Sequence, residues 1–174
     1  YSADVTGNPS NCSYPHKHII LDEDSLKAAI CHDYVCAEYK KSYRNGDNFI
    51  GSDCLPVDCD NDHSENPDDW VTPDDIMQAF LGVSFAIHYS RYNNREKNGK
   101  AARPKFHVLF PIEYVSDASL YSDMKKLVNS IFPYLDTQVL DAARFFFGTT
   151  TADVSLYPGR MNLTEFLDED LFDE

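Results

Sequence analysis

Residues 54–60 read Cys54-Leu55-Pro56-Val57-Asp58-Cys59-Asp60. With Phe49-Ile50 before them they form a bent strand, in which Pro56 argues for a bulge or a sheet edge. Residues two apart in a strand share a face, so Asp58 and Asp60 project together. Two adjacent carboxylates repel each other and are costly to desolvate. A divalent cation between them removes both costs, and hard oxygen ligands suit Mg²⁺ or Mn²⁺. Asp58-x-Asp60-x-Asp62 also opens like a calcium loop. An EF-hand, however, needs Gly at its sixth position and Glu at its twelfth, where this chain has His63 and Asp69. It also needs a preceding helix, which residues 49–57 with Pro56 do not make.

The second element is Arg103-Pro104-Lys105-Phe106-His107-Val108-Leu109-Phe110-Pro111. Alternation places Arg103, Lys105 and His107 on one face and Phe106, Val108 and Phe110 on the other, in a strand over 105–112 that Pro111 ends. Three cationic groups on one face make a clamp for a triphosphate. Tyr89-Ser90-Arg91, closing the preceding strand, can line the same mouth. The third element is Tyr134-Leu135-Asp136-Thr137, followed by Asp141 to Gly148. Either Asp136 or Asp141 can supply a third carboxylate. Arg144 stands three residues after Asp141, at helical pairing distance. Phe145 to Phe147 reads as core.

Around these elements, His18 to Leu21 reads as a short strand and Asp24 or Ser25 as the cap of a helix to about Lys41. Residues 44–47 form a turn. Thr72-Pro73-Asp74-Asp75 starts a helix, with Thr72 as N-cap, Pro73 at N1 and Asp75 at the capping-box position. Val83 to Tyr89 is a strand, 92–102 a basic hairpin tip and Asp117 to Phe132 a helix. Residues 137–147 begin as helix, and Val154 to Tyr157 is a last strand. No internal repeat is visible. Strands and helices interleave without a strict βα rhythm, which favours α+β with a mixed sheet.

The 174 residues carry a net charge of −14, with 43% hydrophobic and 25% charged side chains. That composition excludes a wholly disordered chain, collagen or a coiled coil, and the length suits one core. The negative charge is concentrated in 58–75 and 165–174. Between Arg91 and His107 the sign reverses, with six cations and one acid, Glu96. An acidic site beside a basic loop fits polyanion chemistry through metal ions. No segment approaches the roughly 20 apolar residues of a membrane span; the richest, Ile76 to Ile87, contains Gln78, Gly82 and Ser84. No signal peptide is visible. Five Cys without a CxxC pair read as reduced thiols of a cytosolic protein, not as a zinc knuckle.

The order of these elements — a strand with DxD, a basic strand ending in x-His, then a hydrophobic-Asp step before Arg-Phe-Phe — resembles the archaeo-eukaryotic primase superfamily. Within it, the chain is similar to the primase-polymerase domains of phage and plasmid replication proteins, over roughly Asp33 to Tyr157. The resemblance implies that Asp58, Asp60 and Asp136 are the catalytic and metal-binding carboxylates. His107 would be the phosphate ligand, with Lys105 standing where the family usually has Ser. It further implies two Mg²⁺ or Mn²⁺ ions and template-directed transfer from a dNTP or NTP to a 3′-hydroxyl, with Lys105, His107, Arg103 and Ser90 on the triphosphate. Arg144, Arg44 and Asn48 sit in family-like segments, and the two arginines are counted with the nucleotide-binding set. The fold implied is a mixed sheet related to the RNA-recognition fold with a smaller α/β lobe and a cleft between them. It spans 1–160, with 161–174 an acidic tail or linker. Partners would be a DNA primer-template and a helicase or accessory domain outside this chain, in the cytoplasm of a bacterial or archaeal host, encoded by a phage or plasmid. The competing readings are a two-metal nuclease, another nucleotidyltransferase, or a Ca²⁺-binding module that contacts nucleic acid.

Overall fold

The computed structural model describes residues 1–136 and 142–172. Five strands form one sheet: β1 (Glu38–Tyr39), β2 (Phe49–Cys59), β3 (Phe85–Tyr89), β4 (Phe106–Val115) and β5 (Val154–Tyr157), in the order β1-β2-β4-β3-β5. Among the described residues, four α-helices accompany them: α1 (Glu23–Ala29), α2 (Pro73–Ala79), α3 (Ala118–Ile131) and α4 (Leu163–Phe172). The fold is α+β. All strand pairings are antiparallel, and the parallel bridge among the described residues is the isolated one between Val83 and Met161.

Strand alternation gives the sheet two faces. Leu55, Val57, Cys59, Phe106, Val108, Phe110, Phe85 and Ile87 turn one way, into the main core with Ile76 of α2, Phe80 at its C-cap, and Tyr121 and Val128 of α3. Aromatic contacts Phe80–Phe110 (5.1 Å) and Phe85–Phe110 (5.9 Å) tie it together. Cys54, Ala86, Leu109 and Leu156 turn the other way, beneath Leu26 and Ile30 at the α1 end and Tyr34 and Phe146.

Local signals hold where local chemistry decides. The Asp75 carboxylate accepts from the Thr72 N–H at 2.8 Å, closing the expected capping box behind Pro73. Where distant partners compete, expectation and structure differ. The helix expected to reach Lys41 stops at Ala29, and its N-cap is Asp22, whose carboxylate accepts from the Ser25 N–H at 2.8 Å. Beyond it, the Asp33 carboxylate accepts from the N–H groups of Gly7 (2.8 Å), Asn8 (2.9 Å) and Gly148 (2.9 Å). Tyr34 exchanges backbone bonds with Phe146 at 3.0 and 2.9 Å. These ties need non-helical backbone. Gly148 is required there, since a Cβ would collide with the His32 backbone.

His18 to Leu21 is not a strand; it finds no partner strand, and Ile19 and Leu21 are exposed. In β2 the register shifts at Ser52–Cys54, not at Pro56. Ser52 Oγ lies 2.5 Å from the Cys36 carbonyl and accepts from the Cys54 N–H at 3.0 Å. Pro56 lies past the reach of β1, where β2 is an edge and the missing N–H costs nothing. Strand β4 continues through Pro111, which faces Cys54 at that same shift. The acidic C-terminal segment is helix α4, not a linker over its described length: Leu163 and Leu167 are buried in the main core, with Phe166 against Phe80 at 5.6 Å. Asp141 and the expected helical start at 137–141 lie outside the described residues. Among those described, no helix is long and apolar enough to cross a membrane. All five cysteines are free.

Candidate metal centre

At the end of β2, Val57 and Cys59 enter the core and Asp58 takes the opposite face. Asp60 stands one step beyond the strand on that same side. Asp136 arrives from the turn after α3. Leu135 anchors it from the core, and the Asp136 N–H donates to the Asp58 carbonyl at 2.8 Å, so the turn is laid along the free edge of β2. Asn129 Nδ2 donates to the Leu135 carbonyl at 3.2 Å and braces the turn. Carboxylate oxygens of Asp58, Asp60 and Asp136 thereby lie within 4.8 Å of one another.

The electrostatics of this cluster are unfavourable by themselves. Burial and then the Asp136 charge push Asp58 up to about 7, against relief from Arg144 and Lys105. Burial and the Asp58 charge push Asp60 up to about 6, against relief from Lys105. Asp58 Oδ1 is buried and has no hydrogen-bond partner. An orphaned buried oxygen amid three converging carboxylates fits a hard divalent cation such as Mg²⁺ or Mn²⁺. The donor set, all oxygen, excludes a soft-metal preference.

His107 is the cross-strand partner of Asp58, its Nδ1 3.4 Å from Asp58 Oδ1 and without a hydrogen bond. Burial, and then the Arg144 charge, lower it to about 3, so the ring is neutral at physiological pH. His107 stacks on His88 at 4.5 Å, and His88 Nε2 lies 2.5 Å from Tyr34 Oη. Phe146 meets His107 edge-on at 5.0 Å. Lys105 is 7% exposed, its Nζ 3.5 Å from Asp62 and 4.0 Å from Asp60.

Other residues named from the sequence stand elsewhere. Arg103 is fully buried and is engaged by the loop 61–70, with Asp62 at 4.0 Å. It donates to the carbonyls of Asn61 (2.9 Å), Ser64 (3.1 Å) and Ala101 (3.1 Å), pairs with Glu65 at 2.7 Å and lies over Trp70. Its work is to clamp the acidic loop 61–70. A guanidinium can satisfy that many acceptors in one plane, and strand alternation takes no account of such a pull. Ser90 is a turn residue: its N–H donates to the Lys105 carbonyl at 2.8 Å and its Oγ accepts from the Tyr92 N–H at 3.2 Å. Arg44 donates to the carbonyls of Ala143 (3.0 Å) and Asn11 (3.4 Å), bracing 142–147 from behind. Asn48 Nδ2 donates to the Tyr43 carbonyl. Asp62 pairs with Lys100 and Lys105 at 3.5 Å each instead of joining the three clustered aspartates. Of the three phenylalanines expected in the core, Phe146 is buried, while Phe145 is half-buried and Phe147 is 38% exposed.

His88, Tyr34 and Phe146 form the backing of the site; Phe146 was expected in the core, while His88 and Tyr34 escaped the sequence reading. His88 carried a signal, as the polar member of the apolar strand Phe85-Ala86-Ile87-His88-Tyr89; Tyr34 carried none, because it sat inside an apparent helix. A cavity of about 830 Å³ opens on the same sheet face, at the other end near Cys54 and Leu109. None of the three aspartates lines it, and chemistry, not volume, marks the carboxylate end. The chain matches no family model, no curated protein and no solved structure.

Proposed function

We propose that this chain is a metal-dependent nucleotidyltransferase of the primase-polymerase kind, adding dNTP or NTP to a 3′-hydroxyl on a template strand. The observation that carries it is the convergence of Asp58, Asp60 and Asp136, with the neutral ring of His107, Lys105 and the charge of Arg144 gathered beside them. Asp58, Asp60 and Asp136 would hold Mg²⁺ or Mn²⁺, which when bound supplies Lewis-acid activation of the hydroxyl and charge neutralisation on the triphosphate.

The chain's own residues do the rest. His107, neutral and backed by His88, presents a ring nitrogen as a hydrogen-bond donor toward phosphate oxygen. Arg144 supplies a charge that burial strengthens. Lys105 shifts between its carboxylate partners and an incoming phosphate as a point charge. No nucleophilic side chain is needed, because phosphoryl chemistry of this type rests on positioning and electrostatics. Replication of a phage or plasmid in a bacterial or archaeal cytoplasm, with a helicase or accessory domain on another segment, is the setting this reading carries.

The test is incorporation of labelled dNTP into a primer-template with Mn²⁺. Extension by the wild type and none by the folded Asp58→Asn/Asp60→Asn variant supports the reading. Shortening of the primer alone makes the protein a nuclease. Calorimetric Ca²⁺ binding without any nucleotide effect makes it a binding module.

A further inference from the structure

We propose that the basic connection between β3 and β4, together with the outer side of residues 142–147, is a binding track for single-stranded nucleic acid. It deepens the polymerase reading and rests on it for the track's purpose, the holding of the template.

In a chain of net charge −14, Arg91, Arg95, Lys97 and Lys100 fall within ten residues. Lys100 pairs with Asp62. Among the described residues, Arg91, Arg95 and Lys97 form no ion pair. Two of these three cations lie on aromatic faces. The Arg91 guanidinium is 4.7 Å from the Phe147 ring centre and 5.1 Å from that of Tyr92, and Lys97 Nζ is 4.2 Å from Tyr92. Phe147 meets Phe145 edge-on at 5.2 Å, and Arg44 lies 4.6 Å over Phe145. The result is a row in the order Lys97, Tyr92, Arg91, Phe147, Phe145, Arg44, alternating charge and ring over most of its length.

The row borders the candidate site. Extended backbone alternates its side chains, so Phe146 turns inward to His107 and Tyr34 while Phe147 turns out; Phe145, half-buried, packs against the cluster of Ala3, Tyr14, Val35, Ala37 and Tyr39. Phe147 is 38% exposed, and the core makes no use of it. Cations without carboxylates attract a polyanion, and the exposed part of Phe147 offers a ring on which a base can stack. A duplex hides its base faces, and an acidic protein offers none, so a single strand is the polymer that uses both features. Rings and charges without convergent hydrogen-bond donors read no particular sequence.

The experiment is fluorescence anisotropy of the full chain with a labelled oligothymidylate, over a range of salt. Arg91→Ala and Arg95→Glu each weaken binding by about tenfold and lower the slope of log affinity against log salt by about 1. Phe147→Ala weakens it by about tenfold at unchanged slope, and Phe147→Trp restores it. The Arg95 side chain is exposed and unpaired among the described residues, so its charge reversal tests the track even if the ring variants fold poorly. Preference for oligouridylate over oligothymidylate supports the track and makes the strand RNA. Equal binding of a duplex, or wild-type binding by all three weakened variants, overturns it. Strand binding that depends on these residues without nucleotide incorporation leaves the track standing and removes the polymerase reading. Incorporation that is indifferent to all of them does the reverse.

Discussion

Asp33 and Asp58 are both buried aspartates, and they live in opposite circumstances. Asp33 is fully buried and accepts three backbone N–H bonds, from Gly7, Asn8 and Gly148, that staple the N-terminal arm to the segment after residue 142. Asp58 is 6% exposed, leaves Oδ1 without a partner, faces Asp60 and Asp136, and is pushed up to about 7. Hydrogen bonds to a buried carboxylate stabilise a fold; a buried carboxyl with one oxygen left unpartnered among like charges weakens it. Satisfaction, not burial, separates the structural aspartate from the candidate metal ligand. The same contrast sets apart two cations: Arg103, saturated by carbonyls and Glu65, is structural, while Lys105 has only loose partners at 3.5 and 4.0 Å.

The comparison breaks most easily at Asp33. Asp33→Ala leaves three backbone N–H groups without their acceptor, that of Gly148 buried, and is expected to cost about 2–4 kcal/mol, seen as a drop in the urea unfolding midpoint. Asp58→Asn is expected to leave folding intact or improve it by about 1 kcal/mol near neutral pH, while abolishing incorporation with Asp60→Asn. Equal destabilisation by the two substitutions would erase the distinction.

The pH dependence sharpens it. Asp58 and Asp60 rise from 3.8 to about 7 and about 6, so the folded state binds their protons more tightly than the unfolded chain does. Their protonated forms favour folding below about pH 4, and this contribution is lost as pH rises through 6 to 7. The metal-free protein should therefore lose stability from this cluster between about pH 4 and pH 7. Added Mn²⁺ should raise the melting temperature more at about pH 8 than at about pH 5, and Asp58→Asn should remove that difference. The smallest expected effect is at His107: His107→Ala should weaken nucleotide binding by about 1–3 kcal/mol, read as a raised KM for dNTP.

The pair Asp58 and Asp60 was legible because their spacing within and just past one strand sets them side by side whatever the rest of the chain does. The capping box at Thr72 and Asp75 was legible for the same reason, since both partners lie within one turn. Asp136 was legible as one of two candidates, on the strength of the resemblance. Helix α4 was obscured because its carboxylates dominate the composition, although Leu163, Phe166 and Leu167 carry helical spacing. The end of α1 was illegible because Asp33 and Tyr34 answer to Gly148 and Phe146, more than a hundred residues away. Arg103 misled because alternation predicts a face, while a guanidinium follows its acceptors.

Sequence alone determined what short-range sterics and charge determine: the strand and helix segments with clear periods, the caps, the side-by-side carboxylates and the basic connection before β4. Only the tertiary structure decided that Asp136 hydrogen-bonds along β2, that His88 and Phe146 back His107, and that Arg103 binds the loop 61–70. Those outcomes depend on loop closures whose entropic cost is met by contacts across the whole sheet, and no local window of residues contains both sides of that balance.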